Sequence, residues 1–127
     1  MTDAASAYRA QERAETLRCA LGLPIADAVC RIVFYNDWRR TFGPPPYCEP
    51  IPLDALNSKG TAAELNEWTE RARHMMRDGD HVADAFRRET DQAGRDAILA
   101  AFRGRHPGLE RETYDEALVR GLFWSIW

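Results

Sequence analysis

Five of the chain's seven prolines fall within ten residues, Gly43-Pro44-Pro45-Pro46-Tyr47-Cys48-Glu49-Pro50-Ile51-Pro52, and no other feature restricts the fold as strongly. Each proline fixes φ at about −65° and removes a backbone donor, so three in succession exclude helix and sheet and impose an extended, polyproline-like path. Regular structure must therefore form on either side of this stretch. The apolar and aromatic residues in and beside it, Phe42, Tyr47, Ile51 and Leu53, predict a strap that packs onto the body of the protein rather than a hinge.

Before the strap, Ala7, Ala10, Ala14, Leu17 and Leu21 recur at alternating spacings of three and four. This is the stripe of an amphipathic helix over Asp3 to Leu21, with Arg9, Glu12, Arg13 and Glu15 outside it. Gly22 and Pro24 stop that helix, glycine by taking the left-handed position and proline by being unable to continue. Pro24 also suits the first position of a second helix, where its missing N–H costs nothing. From Ile25 to Phe34 only Asp27 and Arg31, one turn apart, interrupt an apolar run, which predicts a helix buried on most of its circumference. A strand is the rival reading for Val29 to Tyr35, rich in β-branched and aromatic residues, but the run lacks alternation and a partner strand.

After the strap, Leu53 to Asn57 suits one short turn. Thr61-Ala62-Ala63-Glu64 is a capping box opening a helix to about Arg77, with Leu65, Trp68, Ala72, Met75 and Met76 as its buried stripe. Gly79 is expected to close it and Asp80 to cap the next, which begins with Val82, Ala85 and Phe86. That helix is expected to bend near Thr90-Asp91, resume an apolar face with Ala93, Ala97, Ile98, Ala101 and Phe102, and end at Gly104 and His106-Pro107-Gly108. Thr113-Tyr114-Asp115-Glu116 is a second capping box, starting a last helix with Ala117, Leu118, Leu122 and Phe123 inward. The expected fold is all-α: a single domain over 1–127, an irregular bundle of about five helices. A proline-rich loop and connection over 43–60 is expected to separate the second helix from the third.

Composition bounds the function classes. At 127 residues with 45% apolar and 29% charged side chains, the chain is long enough for one real core without disulfide or metal staples. Seventeen basic against twenty acidic side chains leave a net charge of −3, too little positive field to make nucleic acid a default partner. Lys59 is the only lysine beside 16 arginines, and alanine supplies 19 residues, a bias that reads first as codon usage in a GC-rich bacterial genome. Cys19, Cys30 and Cys48 are odd in number and widely spaced, as expected of reduced thiols packed as small hydrophobes. The start Met1-Thr2-Asp3-Ala4-Ala5-Ser6 has no signal-peptide pattern, and no long apolar run occurs. The expectation is a soluble, cytoplasmic protein with no membrane partner.

Several constellations could carry chemistry. Glu70, His74, Asp78, His81 and Asp84 are ligand-type residues spaced four, four, three and three apart, and on an unbroken helix they share one face opposite Trp68, Met75 and Phe86. That face is expected to be solvated, which leaves it without the burial that metal or acid–base sites use. Counting Asp78 as the first position of a calcium loop puts Val82 and Ala83 where an oxygen ligand and a glycine are needed, so an EF-hand is rejected. Gly94-Arg95-Asp96-Ala97-Ile98-Leu99-Ala100-Ala101-Phe102 resembles the first helix of a TetR-type DNA-binding domain. The helix-turn-helix that the resemblance implies does not follow, since the next residues are His106-Pro107-Gly108. Pro44-Pro45-Pro46-Tyr47 fits the Pro-Pro-x-Tyr pattern that WW domains read, though a rigid, core-covering loop explains it as well. Cys30, inside the most apolar helix, is expected to be structural rather than nucleophilic. No catalytic residue, metal ligand or cofactor is expected.

What remains is aromatic and arginine weight at two places, Trp38, Arg39, Arg40 and Tyr47 around the strap and Trp124 and Trp127 near the end of the chain. Trp, Tyr and Arg dominate binding hot spots, so these six are the expected partner-binding residues. Leu122, Phe123, Trp124, Ile126 and Trp127 crowd more apolar bulk into six positions than one helix face can bury. The expected function is a non-enzymatic protein-interaction module: an accessory or adaptor subunit, or an immunity-type binder, acting on a larger bacterial partner protein or on a second copy of itself. The competing expectation is a small helical enzyme or ligand-binding protein with a pocket near Trp38 to Tyr47.

Overall fold

The computed structural model describes residues 2–42 and 49–125. The fold class is all-α, a helical bundle of five helices without a strand among the described residues. These are α1 (Thr2–Leu21), α2 (Ile25–Phe42), α3 (Ala62–Arg88), α4 (Gln92–Arg105) and α5 (Arg111–Ser125), with one 3₁₀ turn at Leu53–Leu56 between α2 and α3. The chain divides into two compact units, Met1–Thr69 and Glu70–Trp127, the division falling within α3. No helix among the described residues is long and apolar enough to cross a membrane.

In the first unit α2 is the centre of the core. Ala26, Ala28, Val29, Cys30, Ile32, Val33, Phe34 and Tyr35 are all buried, so the helix reading of this run holds and its β-branched residues serve packing rather than a sheet. Asp27 is buried with them. The helix stops at Gly22 and Pro24 as expected, but Gly22 does not take the expected left-handed conformation, since Gly108 is the one positive-φ glycine among the described residues; the turn is closed instead by Gly22 N–H donating to Cys19 O (3.1 Å) and Leu23 N–H to Ala20 O (3.0 Å). Pro24 stands one residue before the helix, its carbonyl accepting from Ala28 N–H at 2.8 Å.

The inner face of α1 is not the expected one. Ala7, Ala10, Ala14 and Leu21 are exposed and Leu17 is half-buried, whereas Arg9, Glu12, Arg13 and Thr16 are half-buried and Ala20 is fully buried. Alanine methyls carry little hydrophobic driving force, and long arginine stems cover apolar surface while their heads find partners. Arg13 shows how: its Nε donates to Glu49 O (3.3 Å) and its Nη2 to Pro50 O (3.0 Å). From α2, Asn36 clamps the same segment, its Nδ2 donating to Ile51 O (2.9 Å) and its Oδ1 accepting from Ile51 N–H (2.8 Å). This satisfies both polar groups of a residue whose side chain is fully buried, as is that of Leu56 in the following turn.

The capping box at the start of α3 forms as expected. Glu64 N–H donates to Thr61 Oγ1 (3.1 Å) and Thr61 N–H to Glu64 Oε1 (3.0 Å). Thr61 thereby holds the Glu64 carboxyl below the usual carboxylate range. The helix then continues through Gly79 to Arg88, so the expected boundary at Gly79-Asp80 is overturned. Gly79 is buried and serves helix packing instead of termination.

In the second unit the real break follows at Glu89 to Asp91. Asp91 caps α4, accepting from Gly94 N–H at 3.2 Å, while the Glu89 side chain accepts from Asp91 N–H at 3.0 Å. Arg95 closes the corner, its Nε donating to Glu89 O (2.7 Å) and its guanidinium lying 4.9 Å over the Phe86 ring. Along α4 Phe102 is fully buried and Ile98 half-buried, but Ala93, Ala97 and Ala101 face outward, a second place where alanines do not mark the core. The last helix begins at Arg111, two residues before the expected capping box, and Thr113 lies buried inside its first turn. Ala117 and Leu118 are buried as expected, and Leu122 and Phe123 are half-buried.

Candidate functional site

In the second unit a largely buried cluster of acid–base side chains forms where α3, the end of α4 and the start of α5 meet. Asp78 sits on the flank of α3, its side chain 22% exposed. Arg105 grips it with two hydrogen bonds, Nε to Oδ2 at 2.8 Å and Nη2 to Oδ1 at 3.2 Å. His106 Nε2 also meets Oδ2, at 2.6 Å, and the His106 side chain is only 9% exposed. The His106 ring lies edge-on to Phe102, centroids 5.3 Å apart, and to His74 at 5.6 Å, while Phe102 in turn meets Tyr114 at 6.1 Å. Tyr114 Oη donates to His106 O at 2.5 Å and accepts from Leu109 N–H at 3.3 Å.

Burial pushes the Asp78 carboxyl upward. The hydrogen bonds and charges of Arg105 and His106 outweigh it and hold the group below the ordinary carboxylate range. Asp78 is therefore ionised at neutral pH with both oxygens engaged, and Tyr114 directs its hydroxyl to the backbone. The contacts of Asp78 tie the α4–α5 corner to α3 and those of Tyr114 tie it to α5, so the cluster works as a clamp on a helix end: His106 is the C-cap residue of α4 and Gly108, at φ 95°, takes the turn that follows.

Of the five ligand-type residues on α3, Glu70, His74 and His81 are exposed, as the expected solvated face requires, and Asp78 and Asp84 are half-buried. Glu70 pairs with Arg73 (3.0 Å) and Asp84 with Arg87 (3.1 Å) and Arg88 (3.3 Å), so their partners lie one turn away on the same helix. Asp78 and His74 reach off the helix instead, both toward His106. Among the described residues no group of three or more His, Cys, Asp or Glu is placed to hold a metal ion. Cys19 is exposed and Cys30 is buried in the middle of α2.

The six expected partner-binding residues are not brought together by what is described. Trp38 is half-buried in α2 and already engaged in an interaction. Arg39 and Arg40 lie in the last turns of α2 and Trp124 near the end of α5, their side chains outside the described residues, as are Tyr47 and Trp127 altogether. The pocket expected near Trp38 to Tyr47 falls largely on the same undescribed stretch.

An exposed apolar position that sequence reasoning missed lies on α5. Val119 is 64% exposed, and at about 100° per residue it stands opposite the buried side formed by Ala117 and Gly121. Leu122 and Phe123, three and four residues on, are half-buried and flank it, while Asp115 and Glu112 occupy the same outward face one and two turns earlier. The spacing 119, 122, 123 carries that signal in the sequence, but Leu122 and Phe123 also fit the expected inward face with Ala117 and Leu118, which leaves Val119 unassigned. Comparison with protein-family models, with characterised proteins and with solved structures finds no match to this chain.

Proposed function

We propose that the protein is a non-enzymatic interaction module, an accessory or adaptor subunit or an immunity-type binder that acts on a larger bacterial protein. The observation that carries this reading is Val119, a large aliphatic side chain 64% exposed on α5 and continued by half-buried Leu122 and Phe123. Burying an aliphatic side chain of that size is worth about 1.5–3 kcal/mol, which a partner surface laid over Val119 would recover.

The test places a photo-crosslinking amino acid at position 119 or, as a control on the solvated face of α3, at Glu70, in cells that naturally make the protein. The reading expects a discrete adduct from position 119 only. It also expects the captured protein, once purified, to bind the unmodified chain and to lose at least tenfold in affinity for a Val119→Asp variant. Equal labelling from both positions, or binding indifferent to the substitution, overturns it.

A further inference from the structure

We draw no further inference here: the strongest candidate, the outward apolar face at the C-terminal end of α5 around Val119, belongs to the site already described, and nothing in the structure shows what kind of surface covers it.

Discussion

The carbonyl oxygen of Gly79 lies 2.6 Å from where a Cβ on Gly121 would stand, so α3 and α5 approach backbone to backbone. The Ala83 Cβ stands 2.8 Å from the same point, and neither neighbour is the far end of a flexible side chain. The relation is not symmetrical, because a Cβ on Gly79 would meet Ala117 O at 3.4 Å and Phe102 Cζ at 3.7 Å, close to ordinary contact.

Gly121→Ala and Gly79→Ala should therefore separate. Both substitutions gain up to about 1 kcal/mol from helix propensity. At position 121 the new methyl forces the helices apart, and overpacking of that kind costs about 1–3 kcal/mol, so the expected net effect is a loss. At position 79 the expected effect lies between neutral and a gain of about 1 kcal/mol. Urea denaturation of the two variants checks this, and equal losses at both positions would contradict the observed crossing.

Gly79 also shows why part of the fold was legible in the sequence and part was not. A glycine before an aspartate reads locally as a helix end, yet this one serves a neighbour about forty residues away, which no local pattern encodes. Thr61 and Glu64 were read correctly because both partners of a capping box sit within one turn. The apolar run of α2 was read correctly because burial all round needs no choice of face. The alanines of α1 and α4 misled because a methyl group is too small to decide which side of a helix turns inward, and Arg13 or Phe102 decided instead. At the site, Asp78 was visible as a candidate ligand, but its partner His106 lies 28 residues on and read only as part of a helix stop.

Stability should fall on acidification, and Asp78 should account for part of the fall. Its carboxyl is held below the ordinary range in the folded protein, so its contribution is complete above the unfolded pKa of about 3.9 and is lost as pH drops through the folded value. Asp78→Asn should cost about 1–3 kcal/mol at pH 7, because it removes the charge from hydrogen bonds with Arg105 and His106. The gap between wild type and variant should narrow below about pH 4. Thermal melts of both proteins from pH 7 to pH 3 test the prediction, and a gap that stays constant across the range would assign the loss to some other effect of the substitution.

Histidine substitutions should divide by burial rather than by their resemblance to a metal site. His74→Ala with His81→Ala changes two exposed side chains and should shift stability by no more than about 0.5 kcal/mol. His106→Ala removes a nearly buried ring that meets Asp78 and packs on Phe102, and should cost about 1–3 kcal/mol. Excess chelator should leave the wild-type melting temperature unchanged. Melting curves with and without chelator, accompanied by elemental analysis, decide the matter; stoichiometric metal lost in the His74/His81 double variant would place a site where none is expected.

The last prediction contrasts two positions on α5 that differ by two residues in sequence and by more than a third of a turn in direction. Ala117 is buried on the side that carries Gly121, and an aspartate there would bring an unpaired carboxylate into the core of the second unit. Ala117→Asp should therefore cost upward of about 3 kcal/mol and broaden or abolish the unfolding transition. Val119→Asp changes a side chain that is 64% exposed and should leave stability within about 0.5 kcal/mol of wild type. If Val119 belongs to a binding face, that same silent substitution weakens partner binding, so fold and function come apart at one residue. Denaturation curves establish the first half of the contrast and titration against the crosslinked partner the second. A Val119→Asp protein that melts as early as Ala117→Asp would show that this face packs within the protein itself.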